Sequence, residues 1–173
     1  MGYGFTESEA EADLIIVNTC AVRGHAELRA LGNVGALSHT KRARPGQRIA
    51  LCGCMVQQKH MREKIQKSYP YVDLVFGTNE IWRLPELIER MLNPHKGRIF
   101  EAREIDGERY EGLPVLRSSG VRAWLPVMSG CNNFCSYCVV PYVRGRERSR
   151  RPEAILAEAR KLAEAGVKDI TLL

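Results

Sequence analysis

Three thiols fall within eight residues, at Cys131, Cys135 and Cys138, with C-x3-C-x2-C spacing and Tyr137 directly before the third. The stretch that carries them, Ser129-Gly130-Cys131-Asn132-Asn133-Phe134-Cys135-Ser136-Tyr137-Cys138, is polar. Cysteines that serve only as packing are found in apolar cores rather than clustered in an Asn-containing loop. A structural zinc ion takes four ligands. No Cys or His within 25 residues of the set could be a local fourth, the nearest being His95. A ferredoxin-type run also uses four thiolates, with C-x2-C-x2-C as its local spacing. Three thiolates at the wider spacing suit a 4Fe–4S cluster with one iron left open. An open iron can bind a substrate or cofactor, which suits chemistry rather than electron transfer alone.

Cys20 and Cys54 form a second set. Each follows a stretch that reads as a parallel strand, and the C-terminal ends of parallel strands share the sheet edge where such folds bind ligands. Two thiols 34 residues apart could therefore meet. Two unrelated core cysteines fit the same spacing equally well. Cys52 lies inside its strand and reads as a small buried hydrophobe. Arg144, Arg146, Arg148, Arg150 and Arg151 follow the first set closely. Guanidinium groups so placed could meet phosphates or a carboxylate, the alternative being a solvated charged loop. Lys41, Arg42 and Arg44 complement a helix C-terminus without needing a ligand. His25, His39, His60 and His95 are scattered and receive no role.

These residues need elements to position them. Leu14 to Val17 reads as a strand buried on both faces. A helix from about Val22 to Thr40 follows, with Val22, Leu28, Leu31, Val34 and Leu37 as its apolar side, although Gly24, Gly32 and Gly35 weaken it. Arg48 to Cys52 is the next strand, Gln58 to Lys67 a helix, Val72 to Gly77 a third strand, and Leu84 to Leu92 a helix opened by Pro85. Strands alternating with helices imply right-handed βαβ units and a parallel sheet, an α/β fold. Residues 93–120 are rich in Gly, Pro and charge and read as a linker, with an edge strand near Arg98 to Phe100. Val121 to Met128 reads as a strand leading into the cysteine loop, despite Pro126. Pro152 to Ala165 is the clearest helix, with Ile155, Leu156, Ala159, Leu162 and Ala163 on its apolar face, and Val167 to Leu173 is another strand. The expected units are thus 1–92, a linker at 93–120, and 121–173.

At 173 residues the chain can bury a core as one large domain or two small ones. No apolar run is long enough to span a bilayer. The N-terminus, Met1 to Glu9, is acidic and lacks the basic-then-apolar layout of a signal peptide, and a cytoplasmic location is expected. In such a reducing compartment six cysteines would be ligands, redox groups or buried hydrophobes, rarely disulfides. The net charge of +6 favours an anionic partner without establishing one.

Cys131-x3-Cys135-x-Tyr137-Cys138, after a strand and before a βα unit, resembles the signature of the radical S-adenosylmethionine enzymes. The resemblance implies that these three cysteines hold a 4Fe–4S cluster whose open iron chelates S-adenosylmethionine, with Tyr137 near the adenine. It implies a full or partial (β/α) barrel, with the cluster at the C-terminal ends of the strands, as barrel sites are. Asn18-Thr19-Cys20-Ala21-Val22-Arg23, Gly53-Cys54-Met55-Val56-Gln57-Gln58 and Tyr71 to Thr78 resemble the N-terminal domain of the methylthiotransferases. The run from Gly130 to Arg150 resembles the branch of that family acting on isopentenyladenosine in tRNA.

In that family three N-terminal cysteines hold a second 4Fe–4S cluster, and two of them map onto Cys20 and Cys54. The third ligand is then expected upstream of Met1. Residues 1–92 would be a methylthiotransferase N-terminal domain lacking its first strand and helix, and 121–173 the start of the radical S-adenosylmethionine core. Such a fragment alone should be inactive. The implied reaction adds a methylthio group at C2 of N6-isopentenyladenosine beside the anticodon, with Arg144 and Arg146 as candidate contacts to S-adenosylmethionine or tRNA. The implied partners are that tRNA and a reductant such as flavodoxin or ferredoxin, with no membrane and a monomeric protein. Two alternatives remain. One is a sister methylthiotransferase acting on threonylcarbamoyladenosine or on a ribosomal-protein aspartate. The other is a non-enzymatic iron–sulfur or zinc module that binds nucleic acid.

Overall fold

The computed structural model describes residues 2–22, 24–93, 95–103, 115 and 120–173. Its first unit is a parallel sheet of four strands, β1 (Leu14–Thr19), β2 (Arg48–Gly53), β3 (Leu74–Phe76) and β4 (Ile99–Glu101), in that spatial order. Helix α1 (Gly24–Ala43) crosses from β1 to β2. A short α2 (Cys54–Gln57) and α3 (Lys59–Ser68) cross from β2 to β3, and a 3₁₀ turn (Thr78–Arg83) runs into α4 (Leu84–Leu92) before β4. The alternation of side chains along β2 divides the core. Ile49 and Leu51 pack with Leu31, Val34 and Leu37 of α1 and Ile65 of α3. Ala50 and Cys52 face the other way, onto Leu87, Ile88 and Met91 of α4. Each face of the sheet therefore has its own helical cover, the usual arrangement where all strands are parallel.

The expectation that β1 is buried on both faces is corrected. β1 lies at the edge of the sheet beside β2. Ile15 and Val17 pack into the α1 side, whereas Ile16 on the opposite face is 42% exposed. α4 packs over β2 and β3, and on the edge strand Leu14 packs against that cluster whereas Ile16 lies outside it. Helix α1 begins at Gly24 and runs through Gly32 and Gly35. Its buried stripe is Leu31, Val34 and Leu37. Val22, before the helix, and Leu28 are exposed, so the expected stripe loses its first two members. The edge strand expected near Arg98 to Phe100 is present as β4, paired with β3.

The second unit holds β5 (Arg122–Leu125), β6 (Met128–Ser129), α5 (Val140–Arg144), β7 (Arg148–Ser149), α6 (Pro152–Glu164) and β8 (Asp169–Leu172). β5 and β8 pair in parallel, with α6 in the crossover between them. Leu125, Ala123 and Leu162 form the small core, and Ile155 and Ala159 pack against it. Leu156 and Ala163, expected on that face, are exposed. The single strand expected from Val121 to Met128 is two. β5 stops before Pro126, which has no N–H for a ladder, and β6 resumes after it to pair antiparallel with β7.

Candidate metal centres

The pairing of β6 with β7 closes the cysteine loop at its base. Met128 faces Ser149 and Ser129 faces Arg148, so residues 130–147 leave and return at one point. Inside that clasp the Cys131 amide donates to Gly145 O at 3.1 Å, and the Glu147 amide donates to Asn132 Oδ1 at 3.1 Å. Gly130 has φ +81, and a Cβ there would lie 2.1 Å from Arg146 O. The loop can close only because this residue has no side chain. Phe134 turns back at φ 46 and sets its ring edge-on to Tyr142 of α5, with centroids 5.9 Å apart. Cys135 and Cys138 are joined by a turn in which the Cys138 amide donates to Cys135 O at 2.9 Å.

Cys131 and Cys138 are partly exposed, and Cys135 is exposed. Tyr137 is 90% exposed. Among the described residues no three Cys, His, Asp or Glu side chains converge closely enough to hold a metal ion. The donor set nonetheless fits an iron–sulfur cluster. It is three soft sulfur ligands on one closed loop, at the C-terminal end of β5, with open space around Tyr137.

The second set is positioned by the first sheet. Thr19 of β1 is registered with Gly53 of β2, so Cys20 and Cys54 both follow paired positions at the same sheet edge. Thr19 Oγ donates to Cys52 O at 2.5 Å and ties the two strand ends together. Gly53 sits at φ 99 and ψ −166, and a Cβ there would lie 2.2 Å from Thr19 O. Cys54, which opens α2, is 4% exposed, and Cys20 is exposed. Cys52 points into the α4 side of the core, where burial pushes its thiol up to about 11. That suits the inert, protonated packing group expected of it.

The two units touch at α2 and α5. Arg144 Nε donates to Cys54 Sγ at 3.0 Å, and Thr78 Oγ donates to Val143 O at 3.2 Å. Arg144 thus lies against a thiol. Arg150 is also engaged, donating to Pro126 O at 2.7 Å and to Glu158 at 2.9 Å. The 3₁₀ turn that carries Thr78 is held by an ion-pair network. Arg83 reaches Glu80 and Glu86 at 2.7 Å and Glu101 at 3.3 Å, while Arg90 reaches Glu101 at 2.8 Å. Hydrogen bonding from Arg83 holds the Glu86 carboxyl below its ordinary value. Burial pushes the Glu101 carboxyl up, but hydrogen bonds from Arg90 and Arg83 outweigh it and leave the group lowered.

Sequence reasoning located the cysteines and missed the devices that pose them. The signal for those devices was present. A glycine stands directly before a cysteine at a strand end twice, as Gly53-Cys54 and Gly130-Cys131.

Residues 1–77 match the uncharacterized protein family UPF0004, and residues 125–173 match the radical SAM superfamily. The chain is 49% identical over all 173 residues to a tRNA-2-methylthio-N(6)-dimethylallyladenosine synthase of Clostridioides difficile. It is equally identical to the protein of that name in Caldicellulosiruptor saccharolyticus, and 47% identical to that in Natranaerobius thermophilus. The chain spans 36% of the first two relatives and 38% of the third. It thus carries a segment matching UPF0004 followed by one matching the radical SAM superfamily, whose members use an iron–sulfur cluster and S-adenosylmethionine. Among the described residues no helix is long and apolar enough to cross a membrane.

Proposed function

We propose that this chain is part of a radical S-adenosylmethionine methylthiotransferase that acts on tRNA, at C2 of an isopentenylated adenosine beside the anticodon. One observation carries the reading. A C-x3-C-x2-C loop, closed by β6 and β7 beyond the C-terminal end of β5, lies within the residues that match the radical SAM superfamily. Cys131, Cys135 and Cys138 would hold the cluster that binds S-adenosylmethionine. When bound, that cofactor pair supplies the radical chemistry an unactivated aromatic C–H requires, and the protein supplies binding and orientation.

The chain's own residues have distinct tasks. Gly130, Gly145 and Asn132 close the loop, so that Cys131 is held by backbone contacts. Tyr137 offers an exposed ring for stacking on an adenine. Arg146, which is exposed, is the candidate contact to a carboxylate or to tRNA phosphate. Cys20 and Cys54, at one sheet edge, would supply two ligands of a second 4Fe–4S cluster, with a further cysteine from outside these residues. A second cluster gives the enzyme a place to handle sulfur separately from radical generation. A flavodoxin or ferredoxin would supply the electron.

Anaerobically purified protein is expected to be brown, with a reduced-cluster paramagnetic resonance signal that changes on adding S-adenosylmethionine. A colourless zinc protein, or a signal indifferent to S-adenosylmethionine, would refute the reading. For the substrate, nucleoside analysis of tRNA from a deletion strain should show loss of 2-methylthio-isopentenyladenosine. An unchanged level of that nucleoside would exclude it.

A further inference from the structure

Cys54 is the only thiol of the described residues that hydrogen-bonds a side chain from the other unit. Its sulfur accepts the Nε–H of Arg144, which ends α5, 90 residues later in the chain. A guanidinium does not lose its proton in proteins, so the arginine is the donor and the sulfur the acceptor. The next residue, Gly145, accepts the amide of Cys131 at 3.1 Å. Two consecutive residues therefore touch both cysteine sets, one through a side chain and one through its carbonyl. The placement is reinforced from both sides. Val143 is 1% exposed, and its carbonyl accepts the Thr78 hydroxyl. Gly145 leaves the helix at φ 78, a turn that L side chains rarely adopt and that sends the chain back to Cys131.

We propose that Arg144 is a positioning residue between the two metal sites, holding the Cys54 sulfur while Gly145 holds Cys131. This rests on the reading that both cysteine sets ligate iron–sulfur clusters. Arg144 is exposed as a residue, yet it directs its Nε–H to a sulfur that is 4% exposed, a contact that attraction of phosphate alone does not require. A hydrogen bond to a ligating sulfur draws charge from it and raises the reduction potential of its cluster. Arg144 therefore sets the separation of the two sites and the potential of the one at Cys54.

Two measurements test this. In the first, Arg144→Cys is introduced into a background with Cys20, Cys131, Cys135 and Cys138 replaced by Ala, and treated with dibromobimane, a short thiol crosslinker. Mass spectrometry should find the peptide of Cys54 joined to that of residue 144. Absence of that crosslink overturns the proposal. The second is potentiometry of the full-length protein with Cys131, Cys135 and Cys138 replaced by Ala, which leaves the Cys54 set alone. Arg144→Ala should shift the midpoint potential downward, and Arg144→Lys should recover part of the shift. Equal potentials for parent and Arg144→Ala, with the cluster present in both, overturn the proposal. If the parent holds no cluster at Cys54 while the crosslink forms, the second-cluster reading fails and the Arg144 contact stands.

Discussion

Replacing Gly53 by Ala should destabilise the first unit at the point where its two thiols are posed. Gly53 occupies φ 99 and ψ −166, a region essentially reserved for glycine. Holding a side chain there costs about 1–3 kcal/mol. The added Cβ would also lie 2.2 Å from Thr19 O, 2.5 Å from Asn18 Oδ1 and 2.8 Å from the Thr19 amide. Two of those three atoms are backbone of the paired strand, so relief requires β1 to move away from β2. Overpacking of that kind costs about a further 1–3 kcal/mol. A total of roughly 4 kcal/mol is expected, a large share of a typical stability of about 5–15 kcal/mol. Urea unfolding followed by circular dichroism would read it. With a slope of about 2 kcal/mol per molar, the midpoint should fall by about 2 M. Gly32→Ala is the control. Gly32 lies within α1 with nothing within 4 Å of its added Cβ, and the change should raise stability by about 1 kcal/mol. A Gly53→Ala midpoint equal to that of the parent would refute the claim that this backbone position demands glycine.

Gly130→Ala should open the cysteine loop, because its Cβ would lie 2.1 Å from Arg146 O and 2.6 Å from Gly145 O. Iron and sulfide analysis should find cluster occupancy at Cys131, Cys135 and Cys138 lower by about tenfold or more, the scale of lost supporting contacts at metal sites. Arg83→Ala leaves Glu80, which is 2% exposed, with the longer Arg103 contact at 3.9 Å in place of its 2.7 Å partner, and breaking a buried pair costs about 3–5 kcal/mol. Urea unfolding measures this, and an unchanged midpoint would show that the pair is not load-carrying. The lowered carboxyls of Glu86 and Glu101 make stability dependent on acid. The unfolded chain binds their protons first, near 4.5, so their contribution is present above that pH and is lost as pH falls through the lower folded values. Thermal melts between pH 7 and pH 3 should show this loss, and Glu101→Gln should flatten it.

Much of the fold was legible because its signals are local. The apolar runs of β2 and β3 and the caps of α4 and α6 reflect burial and Pro placement, which the sequence records directly. What escaped depends on neighbours. Ile16 looks like a buried strand residue by composition, yet its exposure depends on β1 lying at the sheet edge. Val22 and Leu28 sit at helical spacing with Leu31, but the helix begins only at Gly24 and its stripe follows the sheet beneath it. The basic run shows the same limit. Five arginines in eight residues read as one patch. Arg144 goes to a sulfur, and Arg150 goes to Glu158 and a backbone carbonyl. Partners brought together by the fold decide which groups these cations touch, and spacing holds no record of them.

The two glycine–cysteine pairs point to a common physical requirement. A strand that ends in regular backbone continues to send side chains alternately to the two faces of its sheet. A thiol needed at the sheet edge must leave that alternation. Gly53 and Gly130 both do this with positive φ, at 99 and 81, each pressed against a carbonyl of the segment beside it. The close approach fixes the following cysteine to the sheet or clasp. Cys54 and Cys131 are therefore the rigid members of their sets, the first by the β1–β2 register and the second by the β6–β7 closure. Cys135 and Cys138 lie farther out on the loop, held by one turn and by the packing of Phe134 on Tyr142. The Arg144–Gly145 contact acts on the two posed thiols, where a fixed separation between sites can be maintained.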